Sequence, residues 1–89
     1  MSRGDFVFYF FFFYKSFSER LKELRTSKGL TMEQLAKEIE STKGTISNYE
    51  NKNKKPSLDM LIKIAEYFDV SIDYLVGRTN DSKLHQKED

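Results

Sequence analysis

The chain has 89 residues, 38% of them hydrophobic, and no cysteine, so it can form one small domain but no disulfide framework and no thiolate site. Its formal net charge of +1 does not by itself point to any class of partner. The single histidine, His85, lies in a polar stretch where we expect it to be solvated. The sequence offers no Ser/His/Asp, Cys/His or metal-ligand cluster and no glycine-rich phosphate loop. We therefore expect no enzyme activity, no metal and no cofactor.

Residues 1–15 differ in composition from the rest of the chain. The run from Phe6 to Tyr14, FVFYFFFFY, is uncharged and almost wholly aromatic. It is shorter than the roughly 20 residues of a membrane span, and Lys15 and Ser16 follow it without the small-residue cleavage site of a signal peptide. Such a run has high β-propensity. It could pair with a second chain, lie along the domain's own apolar surface, or be a non-native leader, and we expect it to contribute to self-association.

A first helix is predicted from about Phe17 to Lys28. Ser16 and Glu19 have the spacing of a capping box, and Gly29 supplies a stop signal. Apolar residues recur at helical spacing on one side, as expected of a core-facing stripe: Phe17, Leu21 and Leu24.

Two short helices joined by a tight turn are predicted between Thr31 and about Asn51. Thr31 and Gln34 can form a capping box for a helix from Met32 to Ile39, and Thr42 can cap the next helix. The expected inward positions are Leu35, Ala36, Ile39, Ile46 and Tyr49. The second of these helices then presents a small, polar outward face: Lys43, Gly44, Thr45, Ser47 and Asn48. Such a face suits a helix that lies in the major groove of DNA.

After a polar loop at 51–57, a fourth helix is predicted from Leu58 to Phe68 and a short fifth helix from Ile72 to Val76, closed by Gly77. The predicted core stripe of the fourth helix is Leu58, Leu61, Ile62, Ala65 and Phe68. Val70, Ile72 and Leu75 are expected to complete the core, with Tyr74 and Val76 partly exposed. The polar residues 79–89 are predicted to be a disordered tail.

Charge is distributed unevenly along the chain. Residues 41–57 hold four lysines against one glutamate, whereas residues 58–75 hold one lysine against four carboxylates. Such an asymmetry can orient a protein on a polyanion. The basic residues follow the predicted polar helix directly, which favours phosphate contact over a simple solubilising role.

The stretch TMEQLAKEIESTKGTISNYE resembles the helix-turn-helix of the Cro/CI-type (XRE-like) phage repressor family. Ala36 matches the small residue where the two helices cross, and Ile46 matches the apolar anchor of the recognition helix. The likeness continues through Pro56-Ser57 and IKIAEYFDVSIDYLVG, from about Ser16 to Arg78. Two positions depart from the family pattern, because Glu40 replaces the usual turn glycine and Ser41 replaces an apolar residue. The resemblance implies an all-α, five-helix, lambda-repressor-like DNA-binding domain at residues 16–78.

The resemblance also implies roles for individual residues. The base-reading candidates are Lys43, Gly44, Thr45, Ser47 and Asn48. The phosphate-contact candidates are Thr31, Met32, Lys52, Lys54 and Lys55. Arg25 and Glu50 are expected to form a structural ion pair that fixes the recognition helix, and Tyr74 and Val76 are expected to contact a second subunit.

The function implied is a sequence-specific regulator of transcription, most simply a repressor, that binds double-stranded DNA as a homodimer. Its operator would be near-palindromic, with half-sites about 34 Å apart. We expect a cytoplasmic protein without a membrane or small-molecule partner, in which the aromatic arm does not read DNA. The alternatives are an antitoxin or restriction-control protein with the same DNA-binding domain, or a protein-interaction module that has lost DNA binding.

Overall fold

The computed structural model describes residues 16–83, and the regular secondary structure in this range is helical. This confirms the all-α, five-helix prediction. The helices are α1 Phe17–Ser27, α2 Met32–Glu38, α3 Lys43–Glu50, α4 Leu58–Phe68 and α5 Ile72–Leu75. The aromatic run and His85 lie outside the described residues.

The predicted bounds of α4 match the structure, while the other four helices end one residue earlier than predicted. The reason is the same at each end. The last predicted residue is a cap whose N–H still bonds to a helix carbonyl while its ψ lies between 0° and 18°, and such ends differ by a residue between definitions.

Every one of these helices begins with a Ser or Thr side chain that accepts a hydrogen bond from the third helical residue's amide. The five caps are Ser16, Thr31, Thr42, Ser57 and Ser71. Ser16 and Thr31 form full capping boxes, as their sequences predict. Each cap stabilises its helix by about 1 kcal/mol. In a chain with a small core, these local hydrogen bonds therefore help to determine where each helix begins.

The turn between α2 and α3 keeps a left-handed residue although it has no glycine. Glu40 has φ of 55°, a conformation that costs a non-glycine residue roughly 1 kcal/mol. The Ser41 amide donates to the Ala36 carbonyl at 2.7 Å, which closes the turn. The departure of Glu40 from the family pattern therefore leaves the turn in place at a small cost in stability.

The core lies between α1, α2 and α3 on one side and α4 and α5 on the other. Its fully buried side chains are Leu21, Leu35, Ile39, Ile46, Ile64 and Leu75. Ala36 is also buried, where the structure packs α2 against α3. Val70 is buried as expected, and Ile72 is half-buried.

The predicted stripe of α4 is wrong at two positions. Leu58 is 65% exposed and Ile62 is 39% exposed, while Ile64, which the prediction left out, is fully buried. The observed inward positions are Leu61, Ile64, Ala65 and Phe68. The three charged residues of the helix, Asp59, Lys63 and Glu66, are exposed on one face, and the buried residues lie opposite that face. The predicted stripe is wrong because Leu58 and Ile62 flank the charged face.

Two residues of the segment 79–83 form hydrogen bonds with the helical domain, while the disorder expected of residues 79–89 stays a prediction. The Ser71 amide donates to the Ser82 carbonyl at 3.2 Å, and the Arg20 guanidinium donates to the Asn80 side chain at 3.1 Å. Arg20 also lies over the Tyr74 ring, 3.9 Å from its centroid. The buried Arg20 thus connects α1 to α5 and to the segment after it.

Candidate nucleic-acid interface

The inward side of α3 is fixed in the core. Ile46 is fully buried and Tyr49 is 4% exposed. The Tyr49 ring packs edge-on against Phe17, and its carbonyl accepts a hydrogen bond from the Ser18 hydroxyl. Burial raises the pKa of the Tyr49 phenol. The helix therefore cannot rotate about its axis without breaking contacts with α1.

A bidentate ion pair between Arg25 and Glu50 joins α1 to the end of α3. Arg25 Nε and Nη2 donate to the two Glu50 carboxylate oxygens at 2.7 and 3.0 Å, and Nη1 donates to the Leu30 carbonyl at 2.7 Å. The Glu50 side chain is 2% exposed. The hydrogen bond to Glu50 raises the pKa of Arg25. These contacts fix the orientation of α3 relative to α1.

The outward side of α3 is polar, but its side chains differ in exposure and in whether they already form hydrogen bonds within the protein. Lys43, Gly44 and Asn48 are exposed, whereas Thr45 and Ser47 are half-buried. The Thr45 hydroxyl shares a hydrogen bond with Thr42, and the Ser47 hydroxyl accepts one from Asn51. Within residues 16–83 the Asn48 amide group has no partner, so both its donor and its acceptor are available.

The start of α2 lies beside the start of α3 across a shallow groove of about 380 Å³. The groove is lined by Thr31, Glu33, Gln34, Ala36, Lys37, Ser41 and Lys43. The Thr31 amide already donates to the Gln34 side chain at 2.8 Å, and Met32 is half-buried against the core. Lys43 Nζ lies 3.7 Å from Glu33 Oε1, a contact that the sequence analysis missed because ten residues of spacing carry no pairing signal.

The loop after α3 carries exposed lysines. Lys52, Lys54 and Lys55 are all exposed and, in the part of the chain that the structure describes, form no ion pair. Lys52 adopts a left-handed φ of 63°, and the Asn53 amide donates to the Asn48 carbonyl at 2.8 Å. The unneutralised lysine charges therefore directly follow the end of α3.

The two residues expected to contact a second subunit are half-buried within one chain. Tyr74 is partly covered by the Arg20 guanidinium, and Val76 borders a groove between α1 and the lysine loop. No helix among residues 16–83 is long and apolar enough to span a membrane. The same residues contain no group of three His, Cys, Asp or Glu side chains placed to hold a metal ion.

Comparison with known proteins identifies the family of this helical domain. A family model described as "Helix-turn-helix" matches residues 21–75. The uncharacterised HTH-type transcriptional regulator YobD of Bacillus subtilis (strain 168) is 46% identical over 65 residues, which are 73% of this chain and 58% of YobD. The chain thus spans less than two thirds of that relative.

Two solved structures have a similar fold and related sequences. A transcriptional regulator from Listeria innocua has a TM-score of 0.66 and 37% identity, covering 70% of this chain and 58% of its own. The restriction-modification controller protein C.AhdI from Aeromonas hydrophila has a TM-score of 0.61 and 34% identity, covering 66% of this chain and 86% of its own.

Proposed function

Because the chain belongs to the XRE-like helix-turn-helix family of transcriptional regulators, we propose that it is a sequence-specific repressor that reads duplex DNA with α3. The observation that carries this proposal is the contrast between the two sides of α3. The inner side is fixed by buried contacts and the Arg25–Glu50 pair. The outer side exposes Lys43 and Asn48 beside three loop lysines that form no ion pair among the described residues. No catalytic step is assigned to the chain.

Base reading is assigned to the outward face of α3. Asn48 can donate and accept at an adenine edge, because its amide has no partner in the described chain. Lys43 can reach guanine acceptors from the first turn. Thr45 and Ser47 have smaller roles, because their hydroxyls already share hydrogen bonds within the protein.

Gly44 supports close approach of α3 to DNA. It lies in the first turn of α3 and has no positive φ, so alanine can adopt the same backbone conformation. A Gly→Ala change at such a position stabilises a protein by about 0.4–1 kcal/mol. A Cβ built there would meet only the Thr42 hydroxyl oxygen, at 3.9 Å, which is ordinary contact. Folding therefore does not require glycine at this position, whereas close contact with a DNA backbone or base would.

Phosphate contacts are assigned to both ends of the motif. Lys52, Lys54 and Lys55 would bind phosphates on one side of the groove, and the first amides of α2, near Thr31 and Met32, would bind phosphate on the other. The Thr31 amide is already used by Gln34, so the contact at this end would come from the amides that follow it. These contacts set register and contribute most of the salt dependence.

We assign a homodimer to the functional state, because one copy of α3 contacts too few base pairs to discriminate among genomic sites. The exposed parts of Tyr74 and Val76 would contribute to the subunit contact. Two copies would bind half-sites about 34 Å apart. A small protein that occupies such a site can block transcription by occupancy alone, so the proposal is repression in the cytoplasm.

Selection from a random-sequence duplex pool tests the function. The full chain should enrich a near-palindromic sequence, and a gel shift should show that binding to it exceeds binding to random duplex by about 10³-fold or more. Absence of binding to any duplex at low salt, by folded protein, would contradict the proposal and favour a protein-interaction role.

The similarity to C.AhdI favours one second candidate, a controller of restriction–modification genes. Such a protein would use the same DNA interface, so binding assays alone do not separate the two. The location of the selected sequence in the source genome distinguishes the two roles. A copy upstream of restriction and methyltransferase genes would support the controller role, and its absence there would favour a general or phage-type regulator.

A further inference from the structure

The contact between Lys43 and Glu33 brings a carboxylate into the proposed reading site. Lys43 is the first residue of α3 and Glu33 lies in the first turn of α2. Their charged atoms are 3.7 Å apart, and the side chains are 63% and 73% exposed. Both line the groove in which the start of α2 is expected to meet phosphate. A negative charge at that place does not help general DNA affinity, so its presence calls for another explanation.

The strength of this pair suits a reversible contact. An ion pair between exposed side chains contributes little to stability, so a better acceptor can replace it. A phosphate is a poor replacement, because the Glu33 carboxylate would be left beside another anion. The O6 and N7 atoms of guanine are uncharged acceptors that lysine can bind together, and they carry no such repulsion.

We propose that Glu33 is a specificity-determining residue, which keeps Lys43 from neutralising phosphates and releases it to a guanine edge in the major groove. This inference rests on the proposed function, since it needs DNA at α3. It assigns one feature of the operator, a guanine opposite Lys43 in each half-site. On other sequences Lys43 stays with Glu33 and adds nothing to affinity.

In this proposal Glu33 acts through Lys43. Its effect on DNA binding therefore depends on Lys43, whereas the effect of a general negative charge would not. Without the carboxylate, Lys43 becomes available to phosphates on any sequence. Affinity for random DNA should then rise about fivefold, the effect of one charge pair at about 4 Å in water. The salt dependence should steepen by about 0.9 in log–log slope, because one more phosphate is neutralised.

A double-mutant cycle on the full chain tests this coupling. The four proteins are wild type, Glu33→Gln, Lys43→Gln and the double variant, with Glu38→Gln as a matched control. Glu38 is exposed at the far end of α2 and forms no ion pair among the described residues. Each protein is titrated with random duplex at several salt concentrations, and circular dichroism checks that each remains folded.

The expected result is that Glu33→Gln raises random-DNA affinity and steepens the slope only when Lys43 is present. The penalty for replacing the guanine opposite Lys43 should also fall in Glu33→Gln. The inference is overturned if Glu33→Gln has the same effect in both backgrounds, if it matches Glu38→Gln, or if it changes nothing. If folded wild-type protein binds no duplex, the proposed function itself fails, which is a distinct outcome.

Discussion

Replacing Arg25 by alanine should be among the most destabilising single changes outside the apolar core. The substitution removes both hydrogen bonds to Glu50 and the one to the Leu30 carbonyl. It also leaves the Glu50 carboxylate, 2% exposed, without its counter-charge. Breaking a buried pair in this way costs about 3–5 kcal/mol. A domain of this size has a free energy of unfolding of roughly 3–10 kcal/mol, so Arg25→Ala should lose a large part of it.

Urea denaturation followed by far-UV circular dichroism measures this loss. Arg78→Ala is the matched control, since Arg78 pairs with Asp73 at 3.9 Å with both side chains largely exposed, and such pairs contribute about 0–1 kcal/mol. The double variant Arg25→Met with Glu50→Leu should recover most of the stability, because it leaves no buried charge alone.

The pH dependence of the contribution of Arg25 to stability follows from the direction of its pKa shift. The hydrogen bond to Glu50 raises the pKa of Arg25 above an already high value. A raised pKa means that the guanidinium's contribution is complete below the unfolded-state value and is lost only as pH rises through the folded-state value. Arg25 therefore stays protonated in any ordinary buffer. If Arg25→Ala lowers the free energy of unfolding no more than Arg78→Ala does, the role given to the Arg25–Glu50 pair is refuted.

Four further substitutions separate folding from DNA contact. Gly44→Ala should raise the free energy of unfolding by about 0.4–1 kcal/mol in urea denaturation while lowering operator affinity in a gel shift; unchanged affinity would remove Gly44 from the interface. Asn48→Ala should reduce discrimination at one base pair by about 1–3 kcal/mol, measured with single-substitution operators, and equal losses on random DNA would contradict its role. Lys54→Ala should weaken all duplexes alike and reduce the salt slope by about 0.9 in titrations, so a sequence-dependent loss would contradict a phosphate contact. Glu40→Gly should stabilise the fold by roughly 1 kcal/mol in denaturation, because it relieves the left-handed strain. The change also removes the exposed ion pair between Glu40 and Lys63, whose charged atoms are 3.6 Å apart, so destabilisation would show that this pair outweighs the strain.

Local chemistry made much of the fold predictable. The Ser and Thr caps fixed where each helix begins, and Gly29 and Gly77 have the positive φ values of stop signals. Glu40 shows where such reasoning has limits, because a left-handed turn survives there without glycine. The hydrogen bond from the Ser41 amide to the Ala36 carbonyl closes that turn, and the propensity of a single residue does not reveal it.

The error in α4 was avoidable from the sequence, because Asp59, Lys63 and Glu66 mark the outward face and Ile64 lies opposite them. Other features depend on residues distant in the chain. Asn80 and Ser82 form hydrogen bonds with Arg20 and Ser71, which composition does not reveal. The Lys43–Glu33 contact depends on how two helix starts meet in space. Each of these features is set by the assembled fold.

Chemical-shift mapping of the full chain with its selected duplex tests the central claim most directly. The backbone amides of residues 43–48 and 52–55 should show the largest changes on titration, with smaller changes at the start of α2 and little change at the exposed face of α4 near Leu58 and Ile62. Changes concentrated on α4 and α5, with α3 unaffected, would contradict the claim that α3 is the DNA-reading surface.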